Sequence, residues 1–163
     1  MAFRAAQIVG IFTTTVKGAP MVAQAEVKAE AGQGLVGDRY HWDPQHPAPK
    51  HGPDREITLI EDEALEAALR EQGIPLTPDQ CRRNLITQGV PLNHLVNVTF
   101  RVGDAILKGI RLCEPCNHLE ELTHPGIRSA LVHRGGLRAQ ILKSGIIRVG
   151  DSVEPTEPNA DSR

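Results

Sequence analysis

A five-residue pattern occurs twice in this chain, as Val102-Gly103-Asp104-Ala105-Ile106 and as Val149-Gly150-Asp151-Ser152-Val153. A Gly-Asp pair between β-branched runs is the chemistry of a sharp corner between strands: glycine accepts backbone angles closed to other residues, and aspartate bonds to its own backbone. Repeated corners among many short strands favour a barrel or a folded-over sheet over alternating α/β layers. The expected fold class is therefore mainly β or α+β, a strand-rich β-barrel or folded-over sheet with a few short helices.

The remaining segments agree. Gln7 to Val16 is apolar and β-branched and reads as a strand. Met21 to Glu30 alternates, with Met21, Ala23, Ala25, Val27 and Ala29 on one face, which reads as one half-buried strand. Gly32 to Pro53 is rich in Gly, Pro, His and Asp and reads as a long loop. A strand over Glu56 to Ile60 runs into a helix capped by Asp62. Its apolar stripe is Ala64, Leu65, Ala68 and Leu69, and Gly73 and Pro75 stop it. Further strands are expected near Asn84 to Thr87, Val98 to Val102, Ala105 to Cys113, Leu137 to Leu142 and Ile146 to Val149, the last two joined as a hairpin by Ser144-Gly145. Short helices are expected near Asn117 to Leu122 and Ile127 to Val132.

At 163 residues the chain has room for one domain with a real core, taken here as residues 1–154, with 155–163 a disordered tail. Aromatic residues are only 3% of the sequence, so that core must be aliphatic. A net charge of -2 gives no long-range pull toward nucleic acid or anionic lipid, so an anionic ligand must be held by local arginines. No apolar stretch approaches the ~20 residues of a membrane span, and Met1 to Gly10 lacks the apolar core of a secretory leader. Three cysteines, two of them in Cys113-Glu114-Pro115-Cys116, make a poor disulfide framework and a plausible set of reduced thiols. The expected compartment is the cytoplasm.

Several motifs bear on chemistry. Gly32-Gln33-Gly34-Leu35-Val36-Gly37 matches the dinucleotide fingerprint literally, but the prolines after it end any helix that would receive a pyrophosphate. Gly37-Asp38-Arg39 reads instead as a tight turn that aims Arg39 outward. The lone Cys-x-x-Cys lacks the second ligand pair of a closed zinc site, and the βαβ setting of a thioredoxin-like motif. A strand ending at Cys113 and a helix beginning near Cys116 make Cys116 the better nucleophile or soft-metal ligand, because backbone N–H groups at a helix start favour the thiolate. Two packed core cysteines are the plain alternative. Arg82 and Arg83 at a strand mouth can grip a phosphate or form a solvated charge pair. Arg111, Arg134 and Arg138 are individually weak but able to converge on Cys116. His41, His46 and His51, with Asp43, recur at a spacing that matches no helix or strand face and offer little preorganisation for zinc. His118 is placed to tune Cys116 or to face solvent.

In order along the chain, a further set of elements is similar to the MOSC domain, named from the C-terminal domain of molybdenum cofactor sulfurases. They are Thr15-Val16-Lys17-Gly18, Gly34 to His41, Ile57 to Ile60, Arg82-Arg83-Asn84-Leu85-Ile86, Phe100 to Asp104, Pro115-Cys116 and Ile147 to Asp151. The resemblance implies a barrel-like, strand-rich fold. It implies one cysteine, falling on Cys116, that carries sulfur as a persulfide or ligates the molybdenum of a bound molybdopterin cofactor. It places the cofactor-binding residues on Lys17, Arg39, Arg83 and Asn84, with Arg138 added to that set. It implies sulfur transfer or reduction of N-hydroxylated compounds, with a cysteine desulfurase or an electron-transfer protein as partner; pyridoxal phosphate would belong only to a partner desulfurase domain. Glu114-Pro115 stands where amidoxime-reducing members carry Ser-Arg. A metal-free thiol-redox or persulfide-carrier module using Cys113 with Cys116, and a non-catalytic binding domain, are the alternatives.

Overall fold

The computed structural model describes residues 5–45 and 48–156. Its strands are β1 (Gln7–Thr13), β2 (Val22–Ala23), β3 (Glu26–Glu30), β4 (Gly34–Leu35), β5 (Ile57–Glu61), β6 (Leu85–Gln88), β7 (Thr99–Val102), β8 (Ala105–Leu112), β9 (Leu137–Lys143), β10 (Gly145–Arg148) and β11 (Val153–Pro155). Three helices, α1 (Asp62–Gln72), α2 (Asn117–Leu122) and α3 (Ile127–Ala130), complete the set. The strand-rich α+β reading holds.

Eight strands form one sheet in the order β11-β7-β8-β9-β5-β6-β1-β2, and β10-β3-β4 form a second. The larger sheet is antiparallel except at β5–β6, whose parallel pairing needs a crossover that α1 supplies. It curls without closing into a continuous barrel ladder. β1 is tied to the residue before β11 by an isolated bridge, Gln7 to Ser152. Bonds from Ile8 N to Asp151 O (2.9 Å), Gly150 N to Ile8 O (2.7 Å) and Val153 N to Ala6 O (3.0 Å) complete this seam.

Strand periodicity divides the core in two. Leu59 and Leu85 point into an aliphatic interior with Ile8, Phe100, Leu107 and Leu137, while their neighbours Ile60 and Ile86 point to the opposite face and pack under the helices. On that outer face Ala64, Leu65 and Ala68 of α1 meet Leu119 of α2 and Ile127 of α3.

The structure departs from four sequence expectations. The alternating run Met21 to Glu30 is two strands: β2 pairs with β1, and β3 pairs with β10 in the other sheet. Ala23 and Ala25 are exposed because the chain changes sheets between them and Val27. Ser144-Gly145 does not make a hairpin, because β10 leaves β9 to pair with β3. Asp62 is the first residue of α1, not its cap, and Glu61 precedes it in extended conformation. Leu69 is 54% exposed, its place in the stripe taken by Ala67 and by Ile74, which folds under after the left-handed Gly73. Residues 157–163 of the expected tail, and His46, lie outside the described residues; Pro155 pairs with Phe100 in β11.

Candidate functional site

β8 ends at Leu112, and the chain then runs through Cys113, Glu114 and Pro115 to Cys116, the residue before α2. This short segment is fastened from beneath. Cys113 N donates to Gly136 O at 2.7 Å. A Cβ on Gly135 would collide with Cys113 O and sit 2.9 Å from Pro115 Cδ, so the backbones meet only because residue 135 has no side chain. Arg83 binds the arrangement together, donating from Nε to Gly135 O (2.9 Å), from Nη1 to Cys81 O (3.2 Å) and from Nη2 to Cys113 O (3.4 Å). Cys113 is buried and Cys116 is exposed.

Cys116 opens on a small cavity of about 100 Å³. Lys17, Arg39, Arg82, Arg83 and Arg138 all reach its wall, with Tyr40, Thr58, Cys113 and His118, and no carboxylate does. Five of the six residues expected to form the site are thus brought together. The sixth, Asn84, is not on the wall. Its side chain accepts from Thr58 N and Oγ1 (3.1 Å each) and donates to Phe12 O (3.1 Å), tying β5 and β1 to the start of β6.

The cations are held differently. Arg39 does not point outward: its side chain is 11% exposed and turned onto the buried carboxylate of Asp38 at 3.3 Å, with Met21 Sδ and Arg82 O as further acceptors. Asp38 also accepts from Thr14 N, so one carboxylate organises both the arginine and the strand end beside it. Arg82 has φ 65° and donates to Ala19 O. Burial, and then the Arg39 cation beside it, hold its guanidinium below the usual value. Nε of Arg138 is buried with no hydrogen-bond acceptor among the described residues. The wall is rich in positive charge and short of acceptors, which is an anion-receiving surface.

Other candidate residues go elsewhere. Arg111 pairs with Asp54 (2.9 Å) and Arg134 with Glu71 (2.7 Å), so neither converges on Cys116. His41 pairs with Glu30 at 2.9 Å, Asp43 accepts from Gln45 N in its own loop, and His51 stands edge-on to Tyr40. No cluster of three or more metal-ligating side chains occurs among the described residues. The βαβ unit β5-α1-β6 exists, but the Cys-x-x-Cys lies outside it.

A larger cleft of about 600 Å³ shares Lys17, Arg39 and Tyr40 with the small cavity and adds Thr15, His51, Asp54 and Arg55. Tyr40 and Arg55 were not singled out from sequence. The available signals were Tyr40's place directly after the Gly37-Asp38-Arg39 turn and Pro53, which starts the 3-10 turn carrying Arg55.

Comparison with known proteins gives the chain a fold and a family. The YUAD protein of Bacillus subtilis superposes with a TM-score of 0.76 at 18% identity, covering 94% of this chain and 98% of that one. YiiM from Geobacillus stearothermophilus gives 0.72 at 18% identity (95% and 77% covered), and YiiM from Escherichia coli 0.67 at 19% (93% and 70%). No curated protein matches the sequence. At these identities the structures establish the fold. A family model, the MOSC domain, matches residues 47–154, which include β5 to β10, Arg83, Cys116 and Arg138. On that match the chain belongs to the MOSC domain family, whose members are associated with the molybdenum cofactor.

Proposed function

We propose that this protein binds the molybdenum cofactor at the Cys116 cavity, with Cys116 as its reactive thiol. One observation carries the reading: an exposed thiol stands at the rim of a carboxylate-free wall of five cationic side chains, one of which, Arg138, has a buried N–H without an acceptor among the described residues. That donor set fits the group. A thiolate is a soft ligand suited to a sulfur-rich metal centre, and guanidinium and ammonium groups answer a phosphate. The 100 Å³ cavity is below the roughly 300–1,000 Å³ of a small-molecule site, whereas the adjoining 600 Å³ cleft is within it. The bulk of the cofactor would therefore lie in the cleft, with its reactive end toward Cys116.

When bound, the cofactor supplies two-electron oxidation and reduction. The chain's own residues do the rest. Lys17, Arg39 and Arg82 offer charge to a phosphate, Arg138 offers its unfilled N–H, and Arg83 keeps the Cys113–Cys116 segment in place. The reaction is reduction of N-hydroxylated compounds with electrons from a partner, or sulfur transfer. In sulfur transfer the Cys116 thiolate attacks the outer sulfur of a donor persulfide, and the donor's thiolate leaves. The electron-transfer protein or cysteine desulfurase required is part of this proposal, as is a cytoplasmic setting, which three free cysteines support. No helix among the described residues is long and apolar enough to cross a membrane.

A second reading, a metal-free dithiol, draws support from the presence of Cys113 on the same cavity wall. Its weakness is burial, since Cys113 is 2% exposed. Elemental and pterin analysis of wild type, Cys116→Ser and Cys113→Ala from a cofactor-producing host separates the two. Molybdenum in wild type and Cys113→Ala, but lost from Cys116→Ser, is the expected result. Full molybdenum in Cys116→Ser would remove the ligand role; activity without metal that needs both thiols would install the dithiol.

A further inference from the structure

The two arginines that lie over Tyr40 are not equivalent. Arg39, with its Cζ 4.8 Å from the ring centroid, spends its donors on Asp38, Met21 and Arg82 O. Arg55, at 5.5 Å, has a single long contact, Nη1 to the Tyr40 hydroxyl at 3.5 Å, and makes no ion pair among the described residues. A guanidinium carries five N–H donors, so most of those on Arg55 have no protein acceptor. The side chain is nonetheless aimed: it springs from the Pro53–Arg55 turn and is braced by the Tyr40 ring. The one carboxylate lining the cleft, Asp54, is engaged by Arg111 at 2.9 Å.

We infer that Arg55, which lines the larger cleft and not the Cys116 cavity, is a separate anion subsite that grips the phosphate of a small organic phosphate ester. The inference rests on the function proposed above and extends it by naming the charge its substrate carries. Lys17 and Arg39 border both cavities and face the cofactor; Arg55 borders only the larger one. A cofactor monophosphate held by the shared residues leaves Arg55 for a second anion. That anion has two possible sources, the substrate or a nucleotide extension of the cofactor, and the substrate is the source chosen here.

The test is calorimetric titration of the purified, cofactor-loaded full-length protein with adenosine 5′-monophosphate and with adenosine. The monophosphate is expected to bind at least tenfold more tightly. Arg55→Gln is expected to remove that preference, with adenosine binding and molybdenum and pterin content unchanged. Arg55→Lys, which keeps the charge without the fork, is expected to retain most of it, and Arg101→Gln, on β7 and exposed, all of it. Equal binding of the two ligands by wild type overturns the subsite. So does loss of pterin from Arg55→Gln, which would assign Arg55 to the cofactor, and so does release of a nucleotide from the denatured holoprotein. The same titration on protein from a host that makes no cofactor reads the Arg55 preference whether or not the cofactor binds, so this inference and the proposed function fail separately.

Discussion

Arg83 Nε donates to the carbonyl oxygen of Gly135 across 2.9 Å, and the same guanidinium reaches the Cys113 carbonyl at 3.4 Å. A residue expected to meet a phosphate is thus the bracket that joins the strand mouth of β6 to the segment carrying Cys116. At 8% exposure, its contacts are made largely away from water.

Arg83→Met should therefore act on Cys116 without touching it. Three backbone carbonyls lose a charged donor, and the expected loss of stability is about 3 kcal/mol by urea denaturation. Arg83→Lys should recover only part of it, because a point ammonium cannot span the three acceptors. Iodoacetamide labelling of Cys116 in the folded state reports on the segment: its rate should change in both variants. An unchanged rate in Arg83→Met would reduce Arg83 to a stabilising contact.

Two glycine substitutions should separate steric from conformational cost. Gly135→Ala pushes a methyl group into Cys113 O and Pro115, backbone that cannot yield cheaply, and should cost about 3 kcal/mol. Gly73→Ala meets nothing within 4 Å, and its φ of 68° alone should cost about 1 kcal/mol. Equal denaturation midpoints for the two would contradict the close approach at residue 135.

Cys81 should make stability fall in alkali. Burial pushes its thiol from 9.0 to about 11, so the folded state holds the proton more tightly than the unfolded chain does. Its contribution is complete below pH 9. Above that, the unfolded chain loses the proton first, and stability declines by up to ~1.4 kcal/mol per pH unit until about pH 11. Unfolding free energies of wild type and Cys81→Ala across this window should converge as pH rises; parallel curves would mean that the thiol does not contribute.

The cysteines should also sort by access. In the native protein only Cys116 should be carbamidomethylated at neutral pH, with Cys81 and Cys113 following in denaturant, as read by peptide mass spectrometry. Rapid native labelling of Cys113 would show that the Arg83 bracket opens.

Legibility in the sequence followed range. The Gly-Asp corners, α1 with its stop at Gly73, and most strand positions were readable because their determinants lie within a few residues. Ser144-Gly145 misled because a pair that suits a hairpin equally suits a corner where the strand changes sheets, and only β3, more than a hundred residues earlier, decides. Lys17, Arg39 and Arg83 were found through family resemblance, and Arg82 and Arg138 from the residues themselves, yet their individual duties were not. Whether Arg39 points out or in depends on the buried carboxylate of Asp38, and whether Arg83 meets ligand or backbone depends on Gly135. Arg55 and Tyr40 went unremarked because their meaning is a stacking relation between a loop and a turn, invisible until both are placed.

The seam that joins Ile8 to Gly150 and Asp151 has a kinetic meaning. β1 and β3 are among the first strands synthesised, but β3 takes β10 as a partner and the end of β1 meets residues 150–153. β1 also has β2 and β6, and β3 has β4, as nearer partners, so the pairings with residues 145–153 close the longest loops and are expected to form late. Pairings of this kind slow folding, because strands far apart in the sequence must be brought together before either sheet is complete.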